Sequence, residues 1–260
     1  MDQKRIIDEF KELVSIEVHS RDERSIADVL KEKLTALGLT VTEDKAGEVL
    51  GGNTGNLYAQ LPGSTDGEPV LFSAHMDRVG NHGHIVPLVK EEEGKIVSDG
   101  TSILAGDDIG GVAAILAMLR EVKEKQIPHG PIEVAFSVCE ETGVEGSRQY
   151  DFSKFRSKSA FVYDASGKAG TIVLAAPSKG RVTIRVHGVT AHAGNEPEKG
   201  LNALKVAADL IMQLPDGRLS PVSTANFSII EAGSATNVVC DLVTITGEQR
   251  SRDAKEYQQI

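Results

Sequence analysis

The chain has 260 residues, of which 40% are hydrophobic, and a formal net charge of −10. This length and composition predict a globular protein with one full hydrophobic core and a smaller second one. Nucleic acid and anionic membranes are excluded as main partners, because no basic stripe offsets the negative charge. Carboxylate-rich sites for metal cations fit this charge balance better.

The sequence carries no sign of export or of membrane insertion. The N-terminal stretch MDQKRIIDEFKELVSI is charged and amphipathic, unlike a signal peptide. The longest apolar stretch, VAAILAML, is too short to span a bilayer. The two cysteines, Cys139 and Cys240, are too few for a disulfide framework. We therefore expect a cytoplasmic protein with no membrane partner.

Residues 1–176 follow the pattern of an α/β domain. Apolar residues at helical spacing predict two helices between residues 4 and 37, the second ending at Gly38. Short apolar runs bounded by Gly, Asn and Pro predict strands, and a run of helix formers predicts another helix before Pro128. The predicted strands span residues 39–46, 55–63, 69–77, 132–138 and 159–165, and this helix spans 109–127. Such alternation predicts a mixed, largely parallel sheet flanked by helices, with ligand sites at the carboxyl ends of the strands.

The pattern changes near Pro177. Residues 179–188 alternate polar and apolar, as in an antiparallel strand with one wet face. A helical pattern over 201–214 follows, and then two strand-like segments over 224–233 and 239–250. This order predicts a separate small α+β domain over residues 177–260.

A histidine and several carboxylates follow the strand ends of the first domain. At the two-residue period of a strand, His75 and Asp77 leave the same face, so the carboxylate can orient the imidazole. The Asp107–Asp108 pair precedes a helix whose N-terminal dipole tolerates anions. The full set is His75, Asp77, Asp107, Asp108, Glu140, Glu141 and Asp164. This oxygen-rich set suits two divalent cations that share a bridging carboxylate.

The adjacent glutamates Glu140 and Glu141 come directly after an apolar strand. Two neighbouring carboxylates raise each other's cost of ionisation near a low-dielectric core, so a cation should lie nearby. In a metal site one of them can ligate while the other acts on metal-bound water.

Each of these patterns alone has an ordinary explanation. A histidine two residues before an aspartate is common by chance, and paired aspartates before a helix serve as an N-terminal cap. Paired glutamates after a strand are usually solvated, and Asp164 could simply begin a turn. Their occurrence in this order, each at the end of an apolar strand, favours the metal site.

Seven motifs extend this pattern along the chain: HMD, SDGTSILAGDDIGG, CEETG, VYDASG, TAHAG, ATNVVCD and GEQRSRD. Their succession resembles that of the dinuclear zinc exopeptidases of the peptidase T, carboxypeptidase G and aminoacylase family, and most closely the peptidase T-like branch. The resemblance covers essentially the whole chain. It implies a zinc-exopeptidase-like catalytic domain over 1–176 and a small lid or dimerisation domain over 177–260, through which a homodimer would form.

The resemblance implies a set of metal ligands. His75 and Asp164 would bind one zinc ion, and Glu141 would bind the second. Asp107 would bridge both ions, and its peptide bond to Asp108 is typically cis in this family. Cobalt or manganese would suit the same ligands.

The resemblance also implies the catalytic residues and the reaction. Asp77 would orient the ligand histidine, and Glu140 would be the general base for a water that bridges the two zinc ions. The implied activity is hydrolysis of short peptides, as in a tripeptide aminopeptidase. Two alternatives stay open: an N-acyl amino acid deacylase with the same ligands, and a non-catalytic binding or assembly module.

Three residues of the small domain receive substrate-binding roles by the same resemblance. His192 would help hold the developing oxyanion, reaching the partner's site in dimeric members. Asn237 and Arg250 would grip the carboxylate or backbone of the substrate. Without the resemblance, these residues are consistent with a surface histidine, a turn residue and a strand-end charge.

The chain departs from the branch at three points. Arg78 replaces the usual threonine after HMD and adds a cation beside the site, and Ile109 replaces the usual lysine after the paired aspartates. Relatives also continue beyond the point where this chain ends, at EYQQI, and supply a late histidine to the second zinc ion. His82, His84, His129 and His187 do not occupy the position of that late histidine, and nothing in the sequence replaces it. We therefore expect both domains to be incomplete, the second zinc ion to be under-ligated and the peptidase activity to be weak or absent.

Overall fold

The computed structural model describes residues 2–80, 83–168 and 170–260, so His82 lies outside the described residues. The chain divides into two compact units, the first ending at Gly167 and the second beginning at Lys168. The predicted domain boundary between residues 176 and 177 falls within the second unit, just before its first strand, and stays a prediction.

The first unit combines helices with a mixed sheet. Its helices are α1 (Gln3–Ser15), α2 (Arg24–Ala36), α3 (Ala46–Leu50) and α4 (Gly106–Glu124). Its strands are β1 (Thr40–Glu43), β2 (Leu57–Leu61), β3 (Val70–His75), β4 (Pro87–Lys90), β5 (Lys95–Ser98), β6 (Ile132–Ser137) and β7 (Ser159–Val162).

The main sheet has the strand order β1-β2-β6-β3-β7. β3 pairs in parallel with both β6 and β7, whereas β1 with β2 and β2 with β6 are antiparallel. The prediction of a mixed α/β sheet flanked by helices is confirmed. Because β6, β3 and β7 run in the same direction, their carboxyl ends meet at one edge of the sheet.

Burial explains why these segments adopt these forms. β6 is buried along its whole length, as expected for a central strand. α1 buries Phe10, Leu13 and Val14 on one face, and α4, apolar through its middle turns, packs against α1 and β3. α2 packs against β1 and β2. The core therefore supports β3 and the start of α4, which carry several of the predicted ligands.

The hairpin of β4 and β5 and the short helix α3 are not among the predicted elements. β4 and β5 are four residues long and α3 is five. None of them carries a long periodic apolar pattern, so the sequence signal that identifies the longer elements is missing.

The second unit is an antiparallel sheet with a helix packed on it. Its elements are β8 (Ser178–His187), α5 (Ala203–Ile211), β9 (Gly217–Ser220), β10 (Ser223–Ala232), β11 (Leu242–Ser251) and α6 (Ala254–Tyr257), with strand order β8-β11-β10-β9. α5 packs on β8 and β11, where Ala203, Ala207, Val243 and Ile245 form the core. These elements form the predicted small α+β layer, and the short β9 and α6 are not among the predicted elements.

No helix in the described residues combines the length and apolarity needed to cross a bilayer.

Candidate metal centre

His75 stands at the end of β3 with its imidazole buried, only 2% of the side chain being exposed. Its Nδ1 atom lies 2.9 Å from the carbonyl oxygen of Asp77 and 3.3 Å from a carboxylate oxygen of the same residue. Burial alone would lower the pKa of His75, but hydrogen bonds and charge attraction, first from Asp77 and then from Asp107, raise the pKa to about 10. The ring is therefore held with Nδ1 toward Asp77 and Nε2 toward the other carboxylates.

The Asp77 carboxylate is fully buried and contacts the opposite turn of the site. Its Oδ1 accepts a hydrogen bond from the Glu140 N–H at 2.9 Å. Its Oδ2 accepts from the Glu141 N–H at 3.1 Å and from the Ser20 hydroxyl at 2.6 Å. Burial favours a higher pKa for Asp77, but the donors around it, including His75, outweigh burial and lower the pKa. One charged carboxylate thus fixes both the imidazole and the backbone of the glutamate pair.

Asp107 and Asp108 form the distorted start of α4. The peptide bond between them is cis, as the resemblance implies, and both residues have non-helical backbone angles. Asp107 Oδ1 lies 2.9 Å from His75 Nε2, with 71% of the Asp107 side chain exposed. Asp108 is buried and accepts the backbone N–H of His75 at 3.2 Å. Burial raises the pKa of Asp108 to about 8. Asp107 therefore faces the imidazole, whereas Asp108 faces the backbone of β3.

Glu140 and Glu141 follow β6 after Cys139, whose φ of +50° turns the chain. Glu140 Oε2 lies 4.0 Å from His75 Nε2. Burial first, and then the neighbouring carboxylates, raise the pKa of both glutamates. Within the described ranges, the ion pairs of the predicted site carboxylates all involve His75. The cation expected beside this pair is therefore not a lysine or arginine of the described residues.

Asp164 follows β7 and borders an open cavity. The backbone N–H of the preceding residue, Tyr163, donates to the Ser73 carbonyl at 2.9 Å. This hydrogen bond extends the pairing of β7 with β3 by one residue beyond the end of β7. The cavity, of about 560 Å³, is lined by residues 106–108, Gly111 and residues 163–167. A Cβ atom on Gly111 would lie 2.7 Å from the Tyr163 Cβ atom, so glycine lets α4 approach the Asp164 segment closely. Burial raises the pKa of Asp164.

Ligand atoms converge in two overlapping groups. His75, Asp107 and Glu141 can each offer one atom, all within 4.8 Å of one another, and so can His75, Glu140 and Asp164. Since Nε2 is the ring nitrogen that faces the carboxylates, one cation can bind it, and a second would depend on carboxylate oxygens. Burial first, and then repulsion from neighbouring carboxylates, raise the pKa values of Glu140, Glu141 and Asp164. One imidazole and several carboxylates therefore fit divalent metal ions such as zinc, cobalt or manganese.

The other predicted site residues lie in the second unit. His192 and Asn237 are on neighbouring segments, joined by a hydrogen bond from the Ala193 N–H to the Asn237 carbonyl at 2.9 Å. The Nδ1 atom of His192 accepts hydrogen bonds from two backbone N–H groups that follow it, so a neutral ring carries its proton on Nε2. Arg250 lies on β11 and donates from Nε to a carboxylate oxygen of Glu248 at 2.7 Å. The substrate-binding roles of these residues stay predictions.

The guanidinium group of Arg78 lies at the carboxyl end of α1. The residue is 3% exposed, and its guanidinium group donates to the carbonyls of Val14 at 3.1 Å and Ile16 at 2.5 Å. Burial lowers the pKa of Arg78 to about 10. Ile109, the second departure from the branch, is fully buried in the core of the first unit. Both residues thus contribute to packing, and the hydrogen bonds of the Arg78 guanidinium group are made to the end of α1 rather than to the predicted ligands.

Two residues that contact the site are missing from the predicted set. Ser20 donates to Asp77, and the buried Glu23 accepts the backbone N–H of Cys139 at 3.0 Å. Both lie in the stretch HSRDERS, whose charged composition indicates an exposed connection between two helices. No pattern in this stretch separates the buried glutamate from its exposed neighbours.

Two family models match the chain. The model described as a peptidase dimerisation domain matches residues 177–260, and the model described as peptidase family M28 matches residues 56–194. The second range contains all the candidate metal ligands.

Solved structures decide the family. The aminopeptidase PepT of Bacillus cereus ATCC 10987 is 41% identical to this chain, with a TM-score of 0.92, and the match covers 100% of this chain and 69% of PepT. The chain belongs to the peptidase T family. A tripeptidase from Staphylococcus aureus subsp. aureus Mu50 is 36% identical, with a TM-score of 0.94 and the same coverage. The predicted place of the chain, among the peptidases of the peptidase T, carboxypeptidase G and aminoacylase family, is confirmed.

Two curated relatives are similar to nearly the whole chain. The protein YqjE of Bacillus subtilis (strain 168) is 39% identical over 251 residues, which are 96% of this chain and 67% of YqjE. Carboxypeptidase G2 of Pseudomonas sp. (strain RS-16) is 30% identical over 258 residues, which are 96% of this chain and 60% of that enzyme. The chain thus spans 60 to 67% of the length of these two relatives.

Proposed function

We propose that this chain carries the catalytic metal centre of a two-zinc exopeptidase that removes the N-terminal residue from short peptides, tripeptides in particular. The observation that carries the proposal is the convergence of His75 with the carboxylates of Asp107, Glu140, Glu141 and Asp164 at one edge of the sheet. The likeness to PepT and to the S. aureus tripeptidase supports the peptide substrate.

The residues divide into ligands and an orienting group. His75, Asp107, Glu141 and Asp164 would hold the metal ions, and Asp77 would fix the imidazole through Nδ1. When bound, the ions supply positive charge that polarises the peptide carbonyl and lowers the pKa of a water molecule.

Glu140 is the proposed general base. Its carboxylate is 25% exposed, so it can reach substrate, and its backbone N–H is anchored to Asp77. Burial and neighbouring carboxylates raise its pKa, which makes it a better proton acceptor than an ordinary glutamate. It takes a proton from the attacking water and then gives that proton to the leaving amine.

His192, Asn237 and Arg250 are proposed to bind the substrate. The Nε2–H of a neutral His192 is available as a donor to a developing oxyanion, because Nδ1 already accepts two backbone hydrogen bonds. Asn237 and Arg250 are exposed and offer an amide and a guanidinium group to the peptide backbone or its carboxylate.

The second unit is proposed to form a homodimer. The match of residues 177–260 to a peptidase dimerisation domain supports this, and so do the exposed side chains of Ile229 and Ile230 on β10. Light scattering should give twice the mass of one chain, and Ile230→Asp should lower it toward that of a monomer. We place the enzyme in the cytoplasm, where its two free cysteines would remain reduced.

The test is tripeptide hydrolysis by the zinc-loaded chain. We expect slow release of the N-terminal amino acid, abolished by Glu140→Gln and unchanged by Glu92→Gln, which alters an exposed glutamate. Hydrolysis of an N-acetyl amino acid in place of the tripeptide would favour the deacylase. Absence of turnover with both substrates, or full activity of Glu140→Gln, would overturn the proposal.

A further inference from the structure

Three consecutive backbone N–H groups in the glutamate turn point at two buried carboxylates. The Cys139 N–H donates to Glu23 Oε1 at 3.0 Å, and those of Glu140 and Glu141 donate to the two oxygens of Asp77 at 2.9 and 3.1 Å. The backbone N–H groups of the proposed base and of its ligand neighbour are thus held by a side chain distant in sequence.

Glu23 has no assigned part in the metal centre, yet it is fully buried. Its Oε1 atom accepts the N–H of Arg21 at 3.0 Å as well as that of Cys139, and within the described residues its Oε2 atom has no hydrogen-bond partner. Burial of a carboxylate is costly unless donors compensate it. We therefore expect the hydrogen bonds of Glu23 to stabilise a backbone conformation that would be unfavourable without them.

Cys139 adopts such a conformation. Its φ of +50° lies in the left-handed region, which is unfavourable for residues other than glycine. This residue sets the direction in which Glu140 and Glu141 leave β6. The hydrogen bond from its N–H to Glu23 therefore acts on the orientation of both glutamates.

The same connection between α1 and α2 acts on the turn in two further ways, once through Asp77 and once through Glu145. Ser20 donates to the Asp77 oxygen that also accepts the Glu141 N–H. The guanidinium group of Arg21 pairs with Glu145 at 2.9 Å, and the Glu145 N–H donates to the Cys139 carbonyl at 3.0 Å. The segment therefore contacts the turn at Cys139, before the glutamates, and at Glu145, after them, and reaches the glutamates only through Asp77.

We propose that Ser20 and Glu23 are positioning residues, which hold the Glu140–Glu141 turn in the geometry needed for metal binding and proton transfer. Ser20 acts through Asp77, and Glu23 acts through the backbone of Cys139. The inference rests on the proposed function for its catalytic consequence, but its geometric part applies to the metal-free chain as well. Loss of a group that orients metal ligands typically lowers metal affinity or activity about 10–100-fold.

The first variants to compare are Glu23→Leu and Glu23→Gln, with Glu32→Leu on the exposed face of α2 as the matched control. Glutamine keeps the Oε1 acceptor, so Glu23→Gln should behave within a few-fold of the wild type. Glu23→Leu should bind zinc about 10–100-fold more weakly and lose a similar factor in kcat, with KM for a tripeptide little changed.

Amide exchange on the metal-free chain gives a readout that does not depend on turnover. In Glu23→Leu the Cys139 N–H should exchange about tenfold faster or more, because its acceptor is gone, whereas the Ala59 N–H in β2 should keep its rate. Normal exchange and zinc affinity in Glu23→Leu would overturn the proposal. Fast exchange and weak zinc binding in a chain without any turnover would uphold the positioning role and reject the proposed function.

Ser20→Ala tests the positioning role independently if Glu23→Leu fails to fold. It removes one hydroxyl, and Ser25→Ala, in the first turn of α2, is its matched control. We expect Ser20→Ala to keep the wild-type Tm while weakening zinc binding about tenfold and speeding exchange of the Glu141 N–H. An unchanged zinc affinity in Ser20→Ala, with unchanged exchange, would contradict the proposal.

Discussion

Two adjacent glycines of α4 test how tightly the helix packs against the Asp164 segment. A Cβ atom at Gly111 would lie 2.3 Å from Asp108 Oδ1, 2.7 Å from the Tyr163 Cβ and 2.9 Å from the Tyr163 carbonyl oxygen. A Cβ atom at Gly110 would meet no atom within 4 Å. Each Gly→Ala change should gain about 0.8–1 kcal/mol of helix propensity, because both positions are helical. Overpacking should cost Gly111→Ala a further amount of about 1–3 kcal/mol.

The measurement is the free energy of unfolding in urea for the two alanine variants and the wild type. We expect Gly110→Ala to be more stable than the wild type by about 1 kcal/mol, and Gly111→Ala to be less stable than Gly110→Ala by about 2 kcal/mol. Gly111→Ala should also bind zinc more weakly, since Asp108 and Tyr163 must move and each is next to a proposed ligand. Equal stabilities and equal zinc affinities for the two variants would refute this account of the packing.

Two further predictions concern charges away from the metal centre. Arg78→Met leaves two carbonyls at the end of α1 without their donors, so it should lower the free energy of unfolding in urea by about 2–4 kcal/mol. A loss under about 0.5 kcal/mol would mean that the guanidinium group does not stabilise the helix end. Although burial opposes it, hydrogen bonds from Arg24 and Lys31 lower the pKa of Glu43 well below its ordinary 4.5. Because the folded pKa is the lower one, this stabilisation is complete above the unfolded value and is lost as the pH falls toward the folded one. Glu43→Gln should therefore flatten the acid side of the stability curve below about pH 5, and an unchanged slope there would contradict the assignment.

The parts of the fold that the sequence predicts are those with long, regular patterns. α1, α2 and α4 carry apolar residues through three or more turns, and β3 and β6 are apolar runs between clear breaks. The β4–β5 hairpin escapes prediction because each strand has only four residues and a half-exposed face.

The candidate site also contains residues that the sequence predicts and residues that it does not. His75, Glu140 and Asp164 stand just after strands that turn out to be parallel neighbours, so the rule that carboxyl ends of parallel strands meet brings them together. The burial of Glu23 and the direction of the Arg78 side chain depend on how α1 and α2 pack, and local composition does not encode that packing.

The most direct test of the central claim is the zinc content of the chain after equilibrium dialysis, compared between the wild type, His75→Ala and His187→Ala. His187 is an exposed residue of β8 and serves as the matched control. We predict one tightly bound zinc ion per chain for the wild type and for His187→Ala, with a second ion held more weakly. We predict loss of tight binding in His75→Ala, because this imidazole belongs to both ligand groups. Zinc content in His75→Ala equal to that of the wild type, or a wild-type chain that binds no zinc, would contradict the account.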